Sequence, residues 1–148
     1  MPPPAPRKLW FDGGCRPNPG RMEIAVVTGG RTWIVPDCGV GDSNRAEWLA
    51  LLGAMDLARQ LGETDVVFCG DSAFVIDQIA GRTAAHPATA DCLAAYRNDL
   101  VSFSRVRVRH VGRAQNLAGI ALEYRRAGLA PPQPLADQQG LRLFPRMA

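Results

Sequence analysis

Hydrophobic and polar positions change their period several times along this chain, and each change marks an element. Residues 1–6 are dominated by proline and are expected to be disordered. Lys8 to Phe11 reads as a first strand, and Met22 to Thr28, with the β-branched Ile24, Val26 and Val27, as a second. Gly29-Gly30 suits a hairpin turn into a third strand over Thr32 to Val35, so the start of the chain predicts an antiparallel meander. Asp42-Ser43-Asn44 then offers caps to a helix from about Arg45 to Leu61. Its apolar residues Trp48, Leu49, Leu51, Leu52, Met55 and Leu57 lie almost all round, so it should be covered on more than one side. Gly62 stops it. Val66 to Cys69 is continuously apolar, the signature of a strand buried on both faces of a parallel arrangement. Beyond Gly70-Asp71-Ser72 a short helix runs to Gly81, and Pro87 to Val101 reads as a third helix. Arg105 to Val111 alternates basic and apolar residues as a last strand, and Gln115 to Ala127 is a last helix ended by Gly128.

The order β-β-β-α-β-α-α-β-α predicts a mixed α+β (α/β) domain over residues 7–128, built on one five-stranded mixed sheet flanked by helices. Residues 129–148 read as a linker, Pro131 to Pro134, and a tail. The length of 148 residues suits a single domain, and 47% hydrophobic with 21% charged residues suits a soluble globular one. A net charge of +3 is compatible with a polyanionic partner. The four cysteines, Cys15, Cys38, Cys69 and Cys92, are scattered with no C-x-x-C pair, which argues against a zinc site and a disulfide framework. Met1 to Lys8 lacks the apolar stretch of a signal peptide and no run approaches membrane-spanning length. The expectation is a cytoplasmic monomer with reduced thiols and no membrane partner.

Three acids occupy matching settings. Asp12 follows the first strand and precedes the turn-forming Gly13-Gly14 and Pro17-Asn18-Pro19-Gly20, Glu47 opens a helix, and Asp71 closes a strand. Each alone has a local explanation: a turn residue, a first-turn helix carboxylate, a helix cap. Converging, they need a cation, because two like charges about 4 Å apart repel by about 4 kcal/mol even at an effective dielectric near 20. Oxygen-only ligands select Mg²⁺ or Mn²⁺, and up to two such ions under a phosphodiester activate a water and stabilise the leaving oxygen.

The chain resembles a type 1 ribonuclease H. The resemblance rests on Asp12-Gly13-Gly14-Cys15 with Asn18-Pro19-Gly20, Asn44-Arg45-Ala46-Glu47, Gly70-Asp71-Ser72 and Val111-Gly112-Arg113-Ala114-Gln115-Asn116, spread in that order over residues 9 to 123. It implies the ribonuclease H-like fold and Mg²⁺- or Mn²⁺-dependent endonucleolytic cleavage of the RNA strand of RNA–DNA hybrids, leaving 5′-phosphate and 3′-hydroxyl ends. It implies catalytic, metal-binding roles for Asp12, Glu47 and Asp71. Gly13, Cys15, Asn18, Asn44, Ser72 and Asn116 fall at substrate-binding positions, consistent with a shallow minor groove that displays the 2′-hydroxyls. His110 matches a mobile histidine that helps product leave in some relatives. The family's basic protrusion between its middle helices is missing, since 82–90 is short and nearly neutral.

One position departs from the family pattern. The fourth metal-binding acid lies four residues after the asparagine, where this chain has Ile120. Glu123, on the same helix side, is the candidate to reach back as a metal ligand. A module that binds hybrid with impaired catalysis is therefore the rival reading, and a different nuclease of the same superfold a third. Arg105, Arg107 and Arg109 share a strand face and either track phosphates or face solvent. In the tail, Gln138, Leu141, Leu143 and Phe144 resemble the short peptide with which bacterial replication and repair proteins dock on the sliding clamp.

Overall fold

Alternation along β1 (Arg7–Cys15) sorts its side chains onto the two faces of a sheet. Leu9 and Phe11 are fully buried in the larger of two apolar clusters, while Trp10 belongs to a second cluster on the opposite face. The computed structural model describes residues 2–137, and among these it holds six strands and four α-helices. β2 (Gly20–Thr28) and β3 (Arg31–Val35) continue from β1 as an antiparallel meander, and a two-residue β4 (Val40–Gly41) pairs with β2. β5 (Asp65–Gly70) joins the other side of β1 in parallel and β6 (Arg105–His110) joins β5 in parallel, giving the order β3-β2-β1-β5-β6.

The long helix α1 (Ser43–Gln60) is buried at every position from Ala46 to Ala58, as its all-round apolar pattern demands. It lies on the β1–β2 face, with α2 (Ala73–Ile79) and α3 (Ala90–Asp99) beside it. The Trp48 indole of α1 donates to Gln78 Oε1 of α2 at 2.8 Å and meets the Tyr96 ring of α3 edge-on at 6.2 Å. α4 (Leu117–Arg126) covers the opposite face over β1 and β2, where Ala118, Ala121 and Leu122 close on Ala25 and Val27. α1 and α4 end as expected at Gly62 and Gly128, whose φ of +72° and +74° suits glycine. In both, the two residues after the cap return hydrogen bonds to the last turn.

Several boundaries differ from the sequence expectation for identifiable reasons. β1 does not end at Phe11: its parallel ladder with β5 stops at Trp10 opposite Cys69, but the antiparallel ladder with β2 carries Asp12, Gly13, Gly14 and Cys15 onward. Asp12 therefore sits within a strand, at the point where only one of its neighbours continues. α1 starts at Ser43 because Asp42 caps it, accepting from the Arg45 N–H at 2.8 Å, so Glu47 lies in the second turn. The third helix is flanked by 3₁₀ turns, Pro87–Thr89 and Leu100–Ser102, and the last helix starts after a 3₁₀ turn, Arg113–Gln115, with Asn116 as its cap.

Residues after Pro132 contact the sheet. The Thr32 N–H donates to Pro134 O at 2.9 Å, the Ala136 N–H donates to Thr32 O at 2.8 Å, and the Thr32 hydroxyl donates to Gln133 O at 2.8 Å. Residues 133–136 thus dock on the outer edge of β3, whose backbone groups would otherwise face solvent unpaired, and the folded unit continues past residue 128. Gln138, Leu141, Leu143 and Phe144 lie outside the described residues. No helix among the described residues is long and apolar enough to cross a membrane.

Candidate active site

Where the β1–β5 ladder ends, a notch opens at the top of the sheet. Asp12 projects from β1 into it, and Asp71 enters it directly after Gly70, the last residue of β5. Glu47 arrives from α1 because that helix lies hard against β1. A Cβ on Gly13 would fall 2.1 Å from the Ala46 carbonyl oxygen, so only glycine permits this approach. The Gly13 N–H donates to Glu47 Oε1 at 2.9 Å and fixes the carboxylate. One oxygen from each of Asp12, Glu47 and Asp71 then lies within 4.8 Å of the others. They line an open cleft of about 540 Å³ shared with Cys15, Ser72, Arg113, Ile120 and Arg126.

The electrostatics are those of acids lacking a counter-charge. Burial pushes the Asp12 carboxyl up to about 6; a hydrogen bond with Glu47 and the guanidinium groups of Arg126 and Arg113 oppose the rise, and the Asp71 charge adds to it. Glu47, 8% exposed, is held well above the usual carboxylate range, first by burial and then by the charge of Asp12. Its second oxygen, Oε2, is buried with no hydrogen-bond partner. A hard divalent cation fits this set: the donors are all oxygens, one is orphaned, and their mutual repulsion is what such an ion removes.

A pH dependence follows. An acid whose folded value lies above its unfolded value keeps a proton on folding, so its stabilising share is present at low pH and lost as pH rises through about 4 to 6. The metal-free protein should therefore lose on the order of 3 kcal/mol from Asp12 across that window. Melting curves between pH 4 and 8 should show the loss. Asp12→Asn should reduce it, leaving the share that the burial of Glu47 contributes, and a divalent cation should restore stability to the wild type more than to the variant. A wild-type curve that matches the variant would refute the assignment.

The remaining expected residues separate into those at the cleft and those that support it. Cys15, Asn44 and Ser72 line it, Ser72 also capping α2 by accepting from the Val75 N–H at 3.2 Å. Asn18 bridges the β1–β2 loop to α1, its Nδ2 donating to Ser43 Oγ at 3.0 Å and its Oδ1 accepting from the Ser43 N–H at 3.2 Å. Gly13 and Asn116 are not open to substrate. Gly13 is buried with its N–H committed to Glu47. Asn116 is fully buried, its Nδ2 donating to Phe11 O at 3.0 Å and its Oδ1 accepting from the Ala118 N–H at 3.2 Å. It pins α4 to β1 and so acts as a positioning residue.

Glu123 does not reach back to the acids. Its Oε1 accepts from Arg16 at 3.1 Å and from Arg126 at 3.0 Å, which holds it at the cleft wall outside the carboxylate cluster. His110 ends β6 opposite Gly70, exposed and away from the cleft lining. Three arginines line the cleft, Arg16, Arg113 and Arg126, and none has a role assigned from the sequence. Arg126, anchored to Glu23 at 2.7 Å, lies about two helical turns after Gly119, a spacing that puts both on one face and that periodicity could have revealed. Arg113 has no such signal, because a 3₁₀ turn carries it.

Fold and carboxylate notch together define a ribonuclease H-fold protein with an acidic centre. The chain belongs to the reverse transcriptase-like family, whose model matches residues 11–122. It is 32% identical over 119 residues to Ribonuclease HI of Halobacterium salinarum, a match that takes in 76% of this chain, and it spans 60% of that relative's length. Among solved structures it is similar to RNase H1 from Halobacterium salinarum NRC-1, with a TM-score of 0.69, 28% identity and coverage of 80% of this chain and 98% of that one. The N-terminal RNase H domain of a Mycobacterium tuberculosis protein, solved as a fusion with maltose-binding protein, gives 0.66 and 26%, covering 82% of this chain and 96% of that one.

Proposed function

We propose that this protein is a divalent-metal-dependent endoribonuclease that hydrolyses the RNA strand of RNA–DNA hybrids. The observation that carries the reading is the convergence of Asp12, Glu47 and Asp71 with Glu47 Oε2 buried and unpartnered. A module that only bound nucleic acid would gain nothing from three repelling acids in one notch. Its similarity to a Ribonuclease HI supplies the substrate class.

In this reading Asp12, Glu47 and Asp71 hold Mg²⁺ or Mn²⁺. Bound there, the metal supplies the Lewis acidity that polarises a phosphodiester and acidifies a water. Arg113 and Arg126 put positive charge on the cleft wall where a phosphate would rest. Cys15, Asn44 and Ser72 on the cleft, with Asn18 bonded to Ser43 at the start of α1, would offer small polar groups to the minor groove and its 2′-hydroxyls. His110, at the end of β6, would assist product release. The protein would act as a cytoplasmic monomer, and residues 138–144 would supply the clamp-docking peptide. A labelled hybrid, incubated with Mg²⁺ and with Mn²⁺ and compared with single-stranded and double-stranded RNA, tests the reading. Cleavage confined to the hybrid is expected, and binding without cleavage in either metal would favour the rival module.

Ile120 at the cleft, with Glu123 held by two arginines, leaves three acids where two ions would be shared. One ion should bind weakly. Ile120→Asp should lower the metal concentration needed for half-maximal cleavage by about tenfold, roughly 1.4 kcal/mol of binding. A folded variant with an unchanged metal requirement would mean that the three acids are sufficient.

A further inference from the structure

α4 covers only part of its side of the sheet. The cluster beneath it draws on Trp10, Ala25, Val27 and Ile34, from β1, β2 and β3, and includes nothing from β5 or β6. The rest of that face can be read from the register. Lys8, Val67 and Arg107 form one row across β1, β5 and β6, and Trp10, Cys69 and Arg109 form the next. Asp65 and Arg105 pair in the row below. Val67 and Cys69 are nearly inaccessible, yet neither belongs to the cluster under α4, and basic residues flank them in the register. Consistent with this, burial raises the Cys69 thiol while Lys8 and Arg109 oppose the rise.

These three rows therefore carry Lys8, Arg105, Arg107 and Arg109 against one acid, Asp65, which pairs with Arg107 at 3.4 Å. Lys8, Arg105 and Arg109 are exposed. Successive arginines on one face of β6 stand about 6.6 Å apart, close to the step between phosphates along one nucleic-acid strand. Lys8 Nζ lies 5.7 Å from the centre of the half-buried Trp10 ring, and Trp10 lines an open hollow with Lys8 and Leu117. Asp12 is the next residue after Trp10 on this face of β1, so the strip leads towards the carboxylate notch, whose lining includes Arg113.

We propose that this open β5–β6 face is a binding track for single-stranded nucleic acid that continues from the strand in the cleft. The three exposed cations, set about 12–13 Å apart by the register, take phosphates about two steps apart along one strand and Trp10 offers its ring to a base, the pairing of charge and stacking that sequence-tolerant single-strand binding uses. Only the direction of the track rests on the nuclease reading. The alternating arginines would otherwise serve solely to keep edge strand β6 from pairing with other chains.

The test compares the full chain with Lys8→Ser/Arg105→Ser/Arg109→Ser, none of which lies in the notch. Binding is measured by fluorescence anisotropy, in EDTA, on a blunt hybrid and on the same hybrid carrying each of the four possible single-stranded overhangs. The wild type should bind at least one overhang form several-fold more tightly than the blunt form. The variant should lose that gain while keeping blunt binding and cleavage. On a free oligothymidylate, the slope of log affinity against log salt should fall by about 2 in the variant, as expected for three lost contacts to a single strand. Trp33 and Trp48 are buried, so fluorescence quenching by the oligothymidylate reports Trp10 and should vanish in Trp10→Phe. Oligothymidylate binding without hybrid cleavage would refute the nuclease reading and leave the track standing. Equal overhang and blunt affinities in the wild type, or an unchanged variant that merely aggregates, would overturn the track.

Discussion

Asp71→Asn is expected to reduce hybrid cleavage by at least about a thousandfold while leaving the melting temperature of the metal-free protein unchanged or slightly raised. The substitution keeps the shape of the side chain at the end of β5 and removes one anionic ligand from a group whose oxygens lie within 4.8 Å of each other. Losing the charge stabilisation that a well-held ion gives, about 4 kcal/mol, corresponds to that factor in rate. The fold should not suffer, because Asp71 is half-exposed and its charge raises the energy of Asp12 and Glu47 rather than lowering it. Single-turnover cleavage at saturating Mg²⁺, with calorimetric melting in EDTA, separates the two effects. Retained cleavage would dissolve the proposed centre, and a collapse of stability would make Asp71 a structural residue.

Gly13→Ala should damage fold and site together. Its new methyl would lie 2.1 Å from the Ala46 carbonyl oxygen and 3.0 Å from the Glu47 backbone nitrogen, both held inside regular elements that cannot yield separately. α1 would have to back away from β1 across the tightest part of the core, at a cost of about 3 kcal/mol or more, hence a fall in melting temperature of roughly 6–12 °C. Metal affinity should fall as well, since the Gly13 N–H is what fixes Glu47. Gly119→Ala is the matched contrast. Its Cβ would meet Asp12 Oδ2 at an ordinary 3.5 Å, and alanine in a helix interior is worth about 1 kcal/mol over glycine, so no loss of stability is expected. Similar melting temperatures for the two variants would show that the β1–α1 approach does not constrain the residue at position 13.

The sequence by itself determined the elements and the three acids. Period-two runs, the all-round apolar helix and its closing glycine are local signals, and the structure keeps them as β1, β2, α1 and Gly62. Asp12, Glu47 and Asp71 stood out because each lies beside a break in such a pattern. What only the tertiary structure decided was the use of groups whose partners are distant in sequence. Asn116 looked available to substrate, yet its amide is spent on Phe11 O, a partner 105 residues away. Glu123 has the right helix face but the wrong company, since Arg16 and Arg126 both hold its Oε1 and it lies outside the carboxylate group. The proline-rich segment read as a spacer until the open edge of β3 supplied hydrogen-bond partners for residues 134 and 136. Local pattern fixes which backbone geometry a segment prefers, but hydrogen bonds and ion pairs are exclusive, and which competitor wins depends on what the folded chain brings within about 3 Å.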